Sequence, residues 1–379
     1  MHSAVRSLFS LESESLLALQ LSSPTITPQI QVDKKTQVLL HGNDLFSRTG
    51  GKAKDTKTYQ VSSWLRELQN PKNQGHDSAW KTELPALAHH REYLMHAILA
   101  LSASDMSLRT EPGQSSTALS HRQLAITGLN RALSASELAS SDIDAMLATC
   151  YALTFQSSYI GDGICDFITM LQGCSLLTRL ISQSSHHGII MGTPDWHLKY
   201  MESRFCEFPV IDEGIAQCTL QSLTDLESML EHPAERCLHQ LLVDAVAPLQ
   251  SSSTLAYLNF SKIFGTVALL PQDYIDHIID PQNTTSQILL LHFVVVQVIL
   301  TPITVFENVK RVGQYPVGGM LAWADSICQN LRNRQVRSSC ISWPSSVVTA
   351  IRREGKGEML LVCNLVDFIS NRAETILAL

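Results

Sequence analysis

The sequence predicts an all-α fold, an array of antiparallel helical hairpins. Apolar residues recur every three or four positions through many helix-length segments, which short polar loops separate. Prolines such as Pro248, Pro271 and Pro281 fall between these segments, where helical folds tolerate a residue without a backbone N–H. Alternation with a period of two never persists, so strands are not predicted. Short connections favour antiparallel packing of consecutive helices.

The composition divides the chain into two regions. Of its 379 residues, 45% are hydrophobic and 17% are charged, as in a globular protein. Residues 1–79 are rich in polar residues and turn signals such as Gly50-Gly51, so we predict a flexible, poorly ordered N-terminal segment. Residues 80–379 carry helical segments without a fixed repeat, and we predict one large all-α domain there.

The first long helix is predicted for residues 93–108, after Trp80 and Pro85. Leu94, Ile98 and Leu101 recur at helical spacing on this segment and are expected to face the core. Three more helices are predicted, at residues 120–133, 142–155 and 164–181. The first should have Leu124, Leu129, Ala132 and Leu133 on its inner side. Asp142 and Asp162 are the expected N-caps of the second and third.

The second half of the chain continues the helical pattern. Helices are predicted at residues 220–231, 234–247, 253–270, 286–310, 318–332 and 343–379. The apolar run at 288–306 approaches the ~20 residues that span a bilayer. His292, Gln297 and Pro302 interrupt this run, so we expect a central helix of the domain and no membrane span.

Charge and cysteine spacing argue against direct nucleic-acid binding by this chain. Its net charge is -7, whereas a free-standing nucleic-acid binder normally carries a basic patch. No two of the nine cysteines are separated by only two residues, so neither a zinc ribbon nor a six-cysteine cluster can be formed from them. We interpret the cysteines as small buried side chains in a reducing compartment.

Candidate chemical motifs are sparse. Adjacent histidines, at His89-His90 and His186-His187, point to different faces of a helix, so we interpret them as loop or cap residues and not as metal ligands. His90 and His96 do not complete a His-Glu-X-X-His motif either.

Acidic pairs such as Asp142 with Asp144 and Asp162 with Asp166 are interpreted as helix caps, not as the magnesium motifs of terpene cyclases. Nucleophile elbows, phosphate-binding glycine loops and dinucleotide fingerprints are not found. We therefore predict no enzyme activity, no catalytic residue, no metal site and no cofactor, and the sequence identifies no cofactor-binding residue.

An ordered set of motifs carries a resemblance. The set begins with Trp80, Pro85-Ala86-Leu87 and Tyr93-Leu94-Met95-His96-Ala97-Ile98-Leu99-Ala100-Leu101. Motifs at residues 120–133, 144–155 and 166–174 come next. The last two are His292-Phe293 and Ile341-Ser342-Trp343-Pro344. In this order the motifs resemble the regulatory domain of fungal zinc-cluster transcription factors of the sterol uptake control protein type. The resemblance covers residues 80–379, but the zinc cluster is missing from this chain, and Asp105 stands where the family often has His.

The resemblance implies a transcription-regulator-like protein that acts through its helical domain. It implies binding to protein partners, a second copy of the chain among them, or to a sterol or other lipophilic ligand. Sterol or secondary-metabolite genes are the expected targets, and the nucleus, the cytoplasm or both the expected location. The alternative is a small-molecule-binding protein or enzyme that acts on an apolar metabolite. That alternative needs an enclosed cavity with convergent polar groups.

Overall fold

The computed structural model describes residues 83–107, 115–135, 139–183, 201–202, 204–304 and 317–354. These residues form thirteen α-helices and no strand, which confirms the predicted all-α fold. The expected flexible segment at residues 1–79 lies outside the described residues.

The helices of the described residues are numbered in chain order. They are α1 (Leu84–His90), α2 (Glu92–Ser107), α3 (Ser115–Leu133), α4 (Ser140–Ser157), α5 (Ile164–Gln183), α6 (Glu213–Thr224), α7 (Pro233–Val246), α8 (Ser253–Val267), α9 (Gln272–Ile279), α10 (Thr284–Ile299), α11 (Thr301–Thr304), α12 (Val317–Asn333) and α13 (Ser342–Glu354). The pairs α2 with α3, α4 with α5, and α7 with α8 pack as hairpins.

The chain divides into two compact units, Met1–Leu138 and Ala139–Leu379. In the described residues, the first unit contains α1 to α3 and the second contains α4 to α13. The predicted domain from residue 80 to residue 379 spans both units and stays a prediction.

In the first unit, the inner face of α2 differs from the predicted one. Leu94 is buried as expected, but Ile98 and Leu101 are only half-buried. The buried positions are instead Ala97 and Ala100, both fully enclosed. Their small side chains leave room for α3 to approach closely. Gly128 of α3 leaves room in the same way, because an added Cβ at this position would lie 2.7 Å from Cβ of Tyr93 on α2. Small residues therefore occupy the buried positions Ala97 and Ala100 of α2.

The predicted inner side of α3 is also partly wrong. Leu124, expected on the inner side, is 44% exposed, whereas its neighbours Ala125 and Ile126 are buried. Leu129 and Leu133 are buried as predicted. Each residue of a helix is rotated by about 100° relative to the one before it. The spacing of Leu124 from Leu129 and Leu133 therefore places it on a different side of α3.

In the second unit, α4 begins two residues earlier than predicted, and Asp142 has a different role. Ala139 is the N-cap, and its backbone N–H donates to Oδ2 of Asp142 at 3.1 Å. Asp142 is thus the third helical residue and closes the first turn with its carboxylate. On the inner face of α4, Met146, Leu147 and Cys150 are fully buried.

The core of the second unit forms around α10. Thirteen of the sixteen residues of α10 are buried, and α7, α9, α12 and α13 pack around it. The helix ends at Ile299, well before the predicted end at residue 310. Pro302 follows, and a proline removes a backbone donor that a continuous helix would need. Of the helices in the described residues, none is long and apolar enough to cross a membrane.

The helix expected at residues 220–231 and the short helix α9 also differ from the prediction. The helix expected at residues 220–231 begins earlier, at Glu213, because Asp212 caps it: Oδ1 of Asp212 accepts from the backbone N–H of Ile215 at 3.1 Å. The short helix α9 was not predicted, since its eight residues are too few for a periodic pattern to stand out.

Candidate functional site

Of the histidines that stand next to each other in the sequence, only one pair lies in the described residues. His89 and His90 end α1 with exposed side chains, and His186 and His187 lie outside the described residues. Across the described parts of the chain, no group of three His, Cys, Asp or Glu could hold a metal ion. The eight cysteines described are all free thiols.

The described part of the second unit has a small cavity in its apolar core. A cavity among the aromatic and aliphatic side chains of α5, α7, α8, α9 and α10 has a volume of about 10 Å³. Its lining includes Phe167, Leu238, Ile263, Phe264, Leu290 and Phe293. Ligand pockets in proteins usually enclose about 300–1,000 Å³. This cavity has room for about one water molecule, and not for a sterol.

A much larger space opens at the surface of the same unit. This groove has a volume of about 960 Å³ and lies where α7 and α10 begin and where α9 ends. The turn before α13 also lines the groove, through Val336, Arg337 and Cys340. Its polar residues include His232, Glu235, His277, Asn283, Thr284 and Arg337. We call this space the polar groove.

Glu235 joins three helices at the base of the polar groove. Its Oε2 accepts the backbone N–H groups of Glu231 and His232, both at 3.1 Å, and so closes the first turn of α7. Its Oε1 accepts from Nε2 of His277 at 2.8 Å and from Nδ2 of Asn283 at 3.2 Å. The carboxylate therefore connects the start of α7, the end of α9 and the start of α10.

The hydrogen bonds decide the charge of Glu235. Burial by itself raises the pKa of this carboxyl, but the donors from His232, His277, Asn283 and Glu231 act together in the opposite direction. The resulting pKa lies below the ordinary value of 4.5. Glu235 is thus a fixed negative charge at neutral pH, with both oxygens engaged.

Two stacked imidazoles form one side of the polar groove. The ring centroids of His232 and His277 lie 3.8 Å apart with planes inclined by 22°. Nδ1 of His232 accepts the backbone N–H of Ala234 at 3.1 Å, so this nitrogen carries no proton. Asn283 is held as well, because its Oδ1 caps α10 by accepting from Ser286 N at 3.1 Å. These contacts hold His232, His277 and Asn283 in fixed positions beside Glu235.

A second polar cluster is buried inside the unit. His292 on α10 is fully buried, and its Nδ1 lies 2.8 Å from the carbonyl oxygen of Ile288, which can only accept. Nδ1 therefore carries the proton, and Nε2 accepts from Ser222 Oγ at 2.9 Å. Burial lowers the pKa of His292 to about 4, outweighing the opposite effect of the Ile288 carbonyl. The neutral ring links α6 to α10.

The sequence could not reveal either cluster. Glu235 and Asn283 are far apart in the chain, and their contact depends on how α7 and α10 pack. The only sequence signals were local: Glu235 follows His232 by three positions, as in a capping box, and Asn283 directly precedes a helical segment.

Comparison with known families assigns part of the chain. Residues 59–207 match the family model described as a fungal specific transcription factor domain. The match covers less than half of the chain, crosses the boundary between the two units, and ends before the residues of the polar groove. Searches of curated proteins and of solved structures gave no significant match. This part of the chain is similar to a transcription-factor domain of fungal type.

Proposed function

We propose that this protein is a transcription regulator of fungal type that acts by binding a protein partner through its helical domain. The observation that carries the proposal is the match of residues 59–207 to the fungal specific transcription factor domain. The ordered motifs at residues 80–379 extend the same resemblance toward sterol uptake control proteins. Sterol or secondary-metabolite genes are the proposed targets, and the nucleus, the cytoplasm or both the proposed location.

Two features of the described residues support a protein partner over an enclosed lipophilic ligand. The cavity among the apolar side chains of the second unit, at about 10 Å³, cannot admit a sterol without expansion of the core. The polar groove, at about 960 Å³, is open and already organised by hydrogen bonds. Preorganised polar groups reduce the entropy lost on binding, which favours recognition of a partner's surface groups.

The proposal places DNA contact on another molecule. The net charge of -7 disfavours binding to a polyanion, because affinity for DNA comes largely from neutralising its phosphates. Electrophoretic mobility shifts with the purified full chain and promoter DNA test this point. We expect no shift at moderate salt. Tight, sequence-specific binding that weakens steeply as salt rises would contradict the proposal.

Partner binding is tested by tethering the full chain to a heterologous DNA-binding domain in a fungal reporter strain. We expect reporter transcription to change, and Arg337→Glu, which reverses a charge in the polar groove, to reduce the effect. Lys262→Glu on α8, an exposed charge reversal outside the lining of the groove, is the matched control. A tethered chain that leaves transcription unchanged would argue against a regulatory role.

A second candidate function is the binding of a small polar metabolite in the polar groove. Its volume falls in the usual range for ligand sites, and several polar groups converge there. A metabolite screen by thermal shift, repeated with Arg337→Glu, separates the two candidates. A ligand that stabilises only the parent chain would favour this second function.

A further inference from the structure

Two histidines of the first unit meet across the α2–α3 hairpin. Nδ1 of His96 lies 3.0 Å from Nδ1 of His121, the ring centroids are 5.1 Å apart, and the planes are inclined by 25°. With that separation of centroids, the two rings face each other edge to edge through these nitrogens. One Nδ1–H therefore donates to the lone pair of the other Nδ1, since two protons or two lone pairs would repel.

Both rings are uncharged and accessible. Each is half-buried, so one edge of the pair reaches solvent. Burial lowers the pKa of both imidazoles, and each is thus neutral at pH 7. Glu92, one turn before His96 on α2, acts on His96 in the opposite direction because its carboxylate favours a nearby positive charge. The pair thus offers two neutral nitrogen ligands, with the carboxylate of Glu92 near His96.

The distance between the nitrogens suits a shared metal ion. Histidine nitrogens bind Zn²⁺ at ~2.0–2.1 Å, and two such ligands at angles of about 90° to 109° lie roughly 2.9 to 3.4 Å apart. The separation of 3.0 Å falls in this range. Imidazole is a preferred ligand of Zn²⁺, Cu²⁺ and Ni²⁺.

We propose that His96 and His121 bind one Zn²⁺ ion through their Nδ1 atoms, with water in the remaining coordination positions. The ion replaces the shared hydrogen. The ring that carried the Nδ1 proton changes to its Nε2–H tautomer, so no net proton is released above the pKa of the pair. The bound ion links α2 to α3 and stabilises that hairpin. The inference does not depend on the proposed regulatory function.

Calorimetric titration of the full chain with Zn²⁺ tests the site. The chain has 14 histidines and nine cysteines, so the informative quantity is the difference between matched variants. We expect His96→Gln and His121→Gln each to remove one equivalent of binding or weaken it by at least about tenfold, which is ~1.4 kcal/mol. His89→Gln, at an exposed position on α1, should bind as the parent does. Equal binding by the parent and His121→Gln would overturn the proposal.

A spectroscopic measurement on the parent chain covers the case in which the variants fail to fold. Nitrogen-15 NMR of the imidazoles should show one Nδ1–H and one Nε2–H tautomer in the pair without metal. Zn²⁺ should convert both rings to the Nε2–H form. Tautomers that do not change on addition of Zn²⁺ would show that the pair holds a shared proton only, and would overturn the proposal.

Discussion

Trp323 donates its indole N–H to the carbonyl oxygen of Ile160 at 2.6 Å and so ties α12 to the turn between α4 and α5. The ring is 1% exposed and lies 5.5 Å from the ring of Phe167 on α5, centroid to centroid. One turn earlier on α12, Gly319 faces the same turn, and an added Cβ there would overlap the carbonyl oxygen of Ser158. The contact between these segments is therefore both hydrogen-bonded and tightly fitted.

Gly319→Ala should destabilise the second unit. The new methyl group would meet backbone, which cannot rotate away, and overpacking of this kind costs about 1–3 kcal/mol. Gly265→Ala on α8 is the matched control, because a Cβ at Gly265 meets nothing within 4 Å. The control should stabilise the protein by about 0.5–1 kcal/mol, the usual advantage of Ala over Gly in a helix. Urea unfolding of both variants measures the difference, and equal midpoints would contradict this close contact.

Ala97→Asp should be more damaging than Ile98→Asp. Ala97 is fully enclosed on the inner face of α2, whereas Ile98 is half-buried and its neighbours leave part of the side chain in water. An unpaired carboxylate costs several kcal/mol when fully buried and less where solvent reaches it. We expect loss of cooperative unfolding for Ala97→Asp and a lowered but visible transition for Ile98→Asp, measured by circular dichroism. The reverse order would mean that α2 turns its other face to the core.

Glu235→Gln should loosen the base of the polar groove. The amide cannot accept all four hydrogen bonds that the carboxylate accepts, and unpaired buried donors cost about 1–3 kcal/mol. Glu227→Gln, at an exposed position, should have little effect. Urea unfolding at pH 7 measures the loss.

The pH dependence gives this prediction a second measurement. The pKa of Glu235 is lowered in the folded state, so its stabilisation is complete above the unfolded value of about 4.5 and disappears as pH falls through the folded pKa. The gap in stability between parent and Glu235→Gln should therefore narrow below pH 4.5. A gap that stays constant down to pH 3 would count against a charged Glu235.

His292 should make the second unit sensitive to mild acid. Its pKa is about 4 in the folded protein and 6.5 in the unfolded chain, so the unfolded state binds one more proton between these values. Stability should fall as pH drops from 6.5 toward 4, by roughly 3 kcal/mol over the whole interval. His292→Gln removes the titrating group and should flatten this slope, whatever its own cost in stability. Unfolding free energies at several pH values test the expectation, and identical slopes would refute it.

Helices could be located from the sequence where large apolar residues recur at helical spacing and prolines separate the segments. The predicted helix at residues 234–247 agrees with α7 (Pro233–Val246) to one residue. The predicted inner face of α2 was wrong because Ala97 and Ala100 lie on the buried face, and their small side chains contribute little to a hydrophobic pattern. Small residues at a helix contact are understood only once the partner helix is in place.

The sites could not be predicted for a related reason. His121 follows His96 by 25 positions on a different helix, and His277 follows Glu235 by 42. No spacing rule within one element covers such pairs, since their contacts arise from tertiary packing.

The position of Asn283 has a consequence for producing the protein. Asn283-Thr284-Thr285 is an acceptor sequence for N-linked glycans. The nitrogen that would carry the sugar, Nδ2, already donates to Glu235, while Oδ1 caps α10. A glycan added in a secretory host would break the contact with Glu235 and fill one end of the polar groove. Material for binding studies therefore belongs in a host without this modification, and Asn283→Gln is no substitute, because the longer side chain displaces the amide from both partners.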